Sequence, residues 1–184
     1  MKFLNRCGLL LLLAGALAGC NGCNKPATTT PPPTPGTVAP RTIEDILPRH
    51  AQPRLPTIKV WLGPEELITE MALTPEQQMA GMMFRTNSPE NQAMIFVHDY
   101  PRQASYWMKN CPEPLSIAFI DDGGIILEIH EMKANDTNSV VSAANNVRFA
   151  LETRLGWFDR HNIRTGMVVR TERGPLMETF FRRQ

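Results

Sequence analysis

The chain has 184 residues, of which 42% are hydrophobic and 20% are charged, so it suits one folded domain. Its formal net charge is +1, but residues 57 to 184 carry 13 basic and 16 acidic side chains, a net charge of −3. A slightly acidic domain argues against a nucleic-acid partner, because such proteins bind phosphates through clustered positive charge. No apolar run reaches the roughly 18 residues that a membrane-spanning helix needs, which excludes a polytopic membrane protein.

Residues 1 to 19 have the pattern of a cleaved signal peptide. Lys2 and Arg6 precede an unbroken apolar run at 9–18, which is too short to serve as a membrane span. The run ends in LAGC at 17–20, which resembles a bacterial lipobox. That resemblance implies cleavage before Cys20 and lipidation of the Cys20 thiol, so we expect a membrane anchor there. Several acyl chains on one residue are enough for stable anchoring.

Two alternatives to a lipid anchor stay open at this point. Cys20 and Cys23 have the Cys-x-x-Cys spacing of a redox pair, although no strand–helix context of the thioredoxin type surrounds them. A plain secreted or signal-anchored protein is the other. Asn21 stands where Asp would be the usual signal for retention in the inner membrane. We therefore expect a location in the bacterial cell envelope, at the outer rather than the inner membrane.

Residues 20 to 56 have the composition of a disordered linker. Nine of the chain's 16 prolines fall here, and the Thr/Pro runs favour an extended polyproline conformation. The segment has no apolar cluster from which a core could form. A short docking helix at 43–47 is the alternative for its second half.

Residues 57 to 184 are predicted to form a mainly β domain. Short runs with strand character lie at 57–62, 66–72, 93–98, 104–109, 115–121, 125–130, 147–152 and 167–171. Thr74, Pro75 and Gln77 form a capping box that begins a helix ending near Gly81. Residues 155–162 could add a helical turn. The prediction is a single compact β-sandwich or barrel-like domain with one or two short helices.

Several local patterns in this domain resemble those of one family. They are LTPEQ at 73–77, GMMFR at 81–85, AMIFV at 93–97, YWMKNC at 106–111 and LSIAFID at 115–121. Over about residues 57 to 172 the chain is similar to the bacterial and archaeal domain of unknown function 192 family. The resemblance implies a compact β-rich fold and no established activity. Cys111 stands where the family has Thr and Ser116 where it has Asp, so a mechanism that needs that Asp is not implied.

Five side chains are candidates for binding a polar ligand. If 104–109 is a strand, Trp107 and Lys109 share one face, while Met108 and Asn110 share the other. Trp107 would stack on the ligand beside the Lys109 ammonium, Arg85 would bind an anionic group, and Asn110 and Glu152 would orient it. The alternative is structural. In that case the aromatic residues fill the core, Glu152 pairs with Arg85 or Lys109, and Asn110 caps a turn.

No catalytic residue, metal site or cofactor is predicted. Cys111 has no motif that selects one of the four histidines as its base, and a disulfide with Cys23 is an alternative use of its thiol. The histidines and acids do not form a metal-binding motif.

The sequence therefore predicts a bacterial envelope lipoprotein that is a binding or accessory module rather than an enzyme. Its expected partners are the membrane, through Cys20, and a polar small molecule, a glycan or an envelope protein, with no nucleic acid. One alternative is a small hydrolase or transferase acting on an envelope glycan. The other is a structural or assembly protein.

Overall fold

The computed structural model describes residues 42 to 182. In chain order their elements are α1 (Ile43–Ile46), β1 (Thr57–Leu62), β2 (Glu65–Ala72), α2 (Pro75–Ala80), β3 (Gln92–Arg102), β4 (Ser105–Tyr106), β5 (Leu115–Ile120), β6 (Ile126–Met132), β7 (Val140–Val141), β8 (Val147–Arg154), α3 (Trp157–Arg160), β9 (Val169–Thr171), β10 (Gly174–Pro175) and α4 (Leu176–Phe181). The domain is mainly β, as predicted. The described residues contain four short helices where one or two were expected.

The first hairpin follows directly from local sequence. In β1, Ile58, Val60 and Leu62 are buried while the residues between them are exposed, so one face of the strand enters the core. β2 pairs antiparallel with β1 along the whole length of β1. Gly63 turns the chain between them with a φ of +60°, a conformation that glycine adopts without strain. The strands predicted at 57–62 and 66–72 are confirmed, and together they form a hairpin.

Helix α2 begins as its capping box predicts. The Gln77 N–H donates to Thr74 Oγ1 at 3.3 Å, and Gln77 Oε1 accepts from the Thr74 N–H at 3.1 Å. The helix ends at Gly81, whose φ of +42° a larger residue would rarely adopt. Because β2 and β3 are parallel neighbours, the chain between them must cross over the sheet, and α2 is part of that crossover.

Eight strands form one sheet in the order β10-β9-β1-β2-β3-β8-β5-β6. Beside β6, Ile125 pairs with Val168 next to β9, and the Val169 N–H donates to the Gly124 carbonyl at 2.8 Å. Gly124 is required there, because a Cβ would lie 2.9 Å from the Val169 oxygen. The sheet is thus joined near its two ends, as in a partly closed barrel rather than a two-sheet sandwich.

The central strands are buried on both faces, which explains why their sequences are nearly continuous runs of apolar residues. On β8, Phe149 and Leu151 belong to one hydrophobic cluster, with Trp157 and Phe158 of α3. Ala150 belongs to a second cluster on the opposite face, with Met94 and Phe96 among its members. By the alternation of the strand, Glu152 points to this second face.

The predicted strand at 104–109 is shorter than expected. Only Ser105–Tyr106 is extended, paired with β7 in a separate two-stranded sheet. The chain then turns, because the Met108 N–H donates to the Asp136 carbonyl at 2.8 Å and Asn110 has a φ of +58°. The predicted two-faced arrangement of residues 107–110 is therefore wrong.

Residues 47 to 56, which the sequence analysis placed in the linker, lie against the domain, and we call them the docked segment. Leu47 is buried in the second cluster. Gln52 donates to the main-chain carbonyls of Gln77 and Gly81, at 3.1 and 2.9 Å. The chain up to Arg41, including Cys20 and the predicted signal peptide, lies outside the described residues.

Candidate functional site

A cavity of about 200 Å³ lies beside the second hydrophobic cluster. Its wall is formed by α2 and the residues that follow it, by β3 and β8, and by the chain between Ser105 and Cys111. Aromatic and sulfur-containing side chains supply much of this wall: Phe96, Tyr106, Trp107, Met79, Met82 and Met83. One acid, Glu152, is among the lining residues, so we call this the Glu152 cavity.

Glu152 is a buried acid between apolar neighbours. Its cross-strand partners are Met94 on β3 and Ile117 on β5, and its residue exposure is 5%. Among the described residues, no side chain or main-chain group donates a hydrogen bond to its carboxyl group or forms an ion pair with it. Burial raises the pKa of Glu152 to about 8. At neutral pH the group is therefore mostly protonated, and a buried polar group of this kind calls for an explanation.

The predicted pairing of Arg85 with Glu152 is wrong, because Arg85 binds Glu70. Arg85 donates to both Glu70 oxygens, at 2.6 and 3.0 Å. Glu70 also accepts from Arg54 at 2.8 Å and from the Leu55 N–H at 2.8 Å, both in the docked segment. Burial alone would raise the pKa of Glu70, but these donors, Arg85 first, hold it below its usual value. Arg85 is not among the residues that line the Glu152 cavity.

A chain of hydrogen bonds leads to Tyr106 in the cavity wall. The Arg102 guanidinium lies 2.9 Å from His98 Nδ1, and His98 Nε2 lies 3.3 Å from the Tyr106 hydroxyl. Burial, with the positive charges of Arg102 and Arg148, lowers the pKa of His98 to about 4, so the ring is neutral. Burial and the neighbouring Glu152 raise the pKa of Tyr106 well above its usual range, so the phenol keeps its proton.

Trp107 and Lys109 are close together, although not on a strand. Trp107 lines the cavity, and the Lys109 ammonium lies 5.6 Å from the centre of its ring. Lys109 also forms an ion pair with Glu44 of α1. The predicted neighbourhood of indole and ammonium is therefore present, but it arises from a turn.

Asn110 has a structural position in that turn. Its main-chain carbonyl accepts from the Phe84 N–H at 2.7 Å, which joins the turn to the chain after α2. Asparagine tolerates the left-handed backbone here better than most residues. Asn110 does not line the cavity.

Cys111 lines the cavity as a free, buried thiol. Burial, and then the nearby Glu152, raise the pKa of Cys111 to about 12. A thiol in this state is a poor nucleophile at neutral pH, because the thiolate is the reactive form. Its proposed disulfide partner, Cys23, lies outside the described residues.

Of the five sequence candidates, the structure brings Trp107 and Glu152 to one cavity and leaves Lys109 beside Trp107. The sequence analysis missed the contribution of the methionines on and after α2, and it missed Arg102 and His98. Within the described residues, no group of three or more His, Cys, Asp or Glu side chains is placed to hold a metal ion. Over the same range, no helix is long and apolar enough to cross a membrane.

Comparisons with known proteins agree with the fold. The sequence pattern of the DUF192 family, described as an uncharacterized ACR, matches residues 60–171. A structure from Sinorhizobium meliloti 1021, described as a proposed transcription regulator, is 25% identical with a TM-score of 0.62, covering 65% of this chain and 97% of its own. A protein of unknown function from Novosphingobium aromaticivorans DSM 12444 is 28% identical with a TM-score of 0.57, covering 61% and 82%. The curated proteins contain no match.

Proposed function

The chain belongs to the DUF192 family, and we propose that its domain binds a small polar ligand in the Glu152 cavity. The observation that carries the proposal is the Glu152 carboxyl group, which is buried at the wall of a cavity and has no partner among the described residues. Leaving a carboxyl group in this state costs folding free energy, because burial opposes its ionisation. A bound ligand that pairs with it would offset this cost. A concave site with a perturbed acid is where ligands are expected.

Binding accounts for the site better than covalent or paired-acid catalysis. The Cys111 thiol keeps its proton at neutral pH, and both ring nitrogens of His98 are already hydrogen-bonded. Cleavage of a glycosidic bond ordinarily uses two carboxyl groups. Glu152 is the one acid among the residues that line the cavity in the described part of the chain.

A second candidate, an enzyme that uses Glu152 as a general acid, is favoured by one observation. The pKa of Glu152, about 8, lies close to neutral pH, where general acid–base catalysis is most effective. Such an enzyme would need a substrate that supplies the other reacting group. Turnover of an envelope glycan by the wild-type chain, lost in Glu152→Gln, would support this candidate over binding alone.

We further propose that the domain is anchored in the bacterial envelope through lipidated Cys20, at the outer membrane. The support is the lipobox-like LAGC sequence, Asn21 after it, and the Pro/Thr-rich linker. Incorporation of labelled palmitate into the wild-type chain and none into Cys20→Ala tests the anchor. Equal incorporation in the two chains would refute it. Fractionation of the membranes tests the location.

Small-molecule binding is proposed ahead of nucleic-acid binding. The description as a proposed transcription regulator concerns the S. meliloti protein. In this chain residues 57 to 184 have a net charge of −3, which does not favour phosphate contacts. A protein partner in the envelope is the other proposal, and chemical crosslinking in intact cells would reveal it.

The binding test is a thermal-shift screen with envelope glycans, amino acids and nucleotides. A ligand present at 100 times its dissociation constant should stabilise the domain by about 2.7 kcal/mol. The shift should be lost in Glu152→Gln and reduced in Trp107→Leu. Trp61→Leu is the matched control, because Trp61 lies on β1, is partly exposed and does not line the cavity. A shift that all three variants retain would place binding elsewhere.

A further inference from the structure

The tautomer of His98 determines what Tyr106 can offer a ligand. A guanidinium can only donate, so His98 Nδ1 must accept from Arg102. The neutral ring then carries its hydrogen on Nε2 and donates it to the Tyr106 oxygen. The hydroxyl hydrogen of Tyr106 is left without an acceptor among the described residues. Since Tyr106 lines the cavity, this hydrogen is available to a ligand there.

The wall around Glu152 favours a positive group over a negative one. Phe96 and Trp107 line the cavity, and aromatic rings attract cations to their faces; the Trp107 ring already has one such contact, with the Lys109 ammonium 5.6 Å from its centre. Among the described residues that line the cavity, Arg102 is the one basic side chain; it is exposed, and its guanidinium donates to His98. Glu152 itself is buried and unpaired in the described residues. It is therefore the dominant electrostatic group that a ligand would meet.

Glu152 needs only a modest change in its ionisation to bind a cation. With a pKa of about 8, Glu152 is ionised in about one molecule in ten at pH 7. A bound cation would shift that population to the ionised form. The other titratable or charged groups in the lining are Arg102 on β3, Tyr106 on β4, and Cys111. Tyr106 and Cys111 stay neutral at this pH, so the ionisation of Glu152 is the protonation change to expect.

Given the proposed function, we infer that the ligand carries a protonated amine close to a hydroxyl or ether oxygen. Glu152 pairs with the amine, and Tyr106 donates its hydroxyl hydrogen to the oxygen. This chemistry is shared by amino sugars and by ethanolamine-type head groups. Trp107 and Phe96 line the same cavity, and Arg102 and His98 hold Tyr106 in the donating orientation.

The test uses two pairs of probes that differ in the amine: 2-aminoethanol against 1,2-ethanediol, and glucosamine against glucose. The full-length chain, labelled with ¹³C at glutamate carboxyl groups, is titrated at pH 7 and the Glu152 signal is followed by NMR. Comparison with Glu152→Gln assigns that signal. The amines should move it to the ionised position, and the neutral partners should leave it protonated. If only glucosamine gives a saturable change in the Glu152 signal, the ligand is an amino sugar. If only 2-aminoethanol does, the ligand is a head group of the ethanolamine type.

Two variants check the role of Tyr106. Tyr106→Phe keeps the ring and should weaken binding of both amines about tenfold, the size expected for one lost hydrogen bond. Tyr100→Phe is the control, because Tyr100 is an exposed tyrosine outside the cavity lining and should bind the amines as the wild type does.

Each contrary result has a separate meaning. Saturable binding of glucose or 1,2-ethanediol without preference for the amines would overturn the inference and leave the proposed binding function in place. Amine binding that leaves Glu152 protonated would overturn it too. If none of the four probes produces a saturable change, the amine inference fails. The binding function fails only if the broader thermal-shift screen is negative as well.

Discussion

Glu70 and Glu152 lie in one row across the sheet, separated by a single strand, because Met94 of β3 is the cross-strand partner of both. Neighbouring strands are about 4.8 Å apart, so the backbones of the two acids are roughly 10 Å from each other, and their side chains lie on the same face of the sheet. Glu70 accepts hydrogen bonds from Arg85, Arg54 and the Leu55 N–H. Glu152 accepts none from the described residues. One row of the sheet thus contains a paired structural acid and an unpaired acid at a cavity.

The pairing of Glu70 predicts a large loss of stability in Glu70→Gln. Removing one charge of a buried pair leaves the Arg85 guanidinium uncompensated, which typically costs about 3 to 5 kcal/mol. Urea unfolding at pH 7 measures this loss. Glu66→Gln is the matched control, because Glu66 is on the same strand and pairs with Lys59 at the surface. Its effect should be much smaller, and equal effects in the two variants would contradict the burial of the Arg85–Glu70 pair.

Glu152 has no such partner among the described residues, so its effect on stability should differ from that of Glu70 and should depend on pH. The folded protein holds the Glu152 proton up to a pKa of about 8, whereas the unfolded chain releases it near pH 4.3. The stabilising effect of that proton is complete below pH 4.3 and is lost as pH rises towards 8. Relative to Glu152→Gln, the wild type should lose about 1.4 kcal/mol of unfolding free energy per pH unit in this window.

Unfolding measurements at pH 5, 6 and 7 would show this difference. Glu131→Gln, at an exposed position of β6, should follow the wild type at every pH. A difference between wild type and Glu152→Gln that does not change with pH would mean that Glu152 is ionised in the folded state.

The hydrogen-bond chain predicts a neutral His98 with its hydrogen on Nε2. The pKa of His98 is about 4, so its ring should stay neutral at pH 5, where an ordinary histidine, with a pKa near 6.5, is charged. Long-range ¹H–¹⁵N NMR spectra distinguish the two tautomers. A hydrogen on Nδ1 would be incompatible with the Arg102–His98 hydrogen bond, because a guanidinium cannot accept, and it would make Nε2 the acceptor of the Tyr106 hydroxyl hydrogen, so that Tyr106 has no free donor.

The state of Cys111 predicts slow alkylation. With a pKa of about 12, its thiolate fraction at pH 8 is roughly a thousandfold smaller than that of an ordinary cysteine. Labelling with iodoacetamide, followed by peptide mass spectrometry, should show Cys111 protected in the folded chain. The same reaction in guanidinium chloride is the control. Comparable rates in the two conditions would indicate an exposed or activated thiol.

Much of the fold could be predicted because its signals are local. The alternation in β1, the capping box of α2 and the Asp122-Gly123-Gly124 turn between β5 and β6 each specify geometry within a few residues. The segment 104–109 was mispredicted because its turn depends on a hydrogen bond from Met108 to Asp136, far along the chain. No local pattern encodes such a contact.

The site was predicted only in part for a related reason. Trp107 and Glu152 were identified as candidates from their residue types, and both line the cavity. The partner of Arg85 could not be identified, because it depends on the parallel register of β2 and β3, which places Glu70 beside Met94. No pattern in the sequence indicated that Arg54 and Leu55 contact Glu70, since proline-rich segments are usually interpreted as linkers.

Among the described residues, Glu152 is a buried acid without a partner, at the wall of a cavity. A pH titration of its ¹³C carboxyl signal in the ligand-free chain tests this most directly. We expect a midpoint near pH 8, shifted to lower pH by a bound amine. A midpoint at or below about 4.3, the ordinary value for glutamate, would mean that the carboxyl group is solvated or already paired, and would refute the assignment of Glu152 as a buried acid that awaits a ligand.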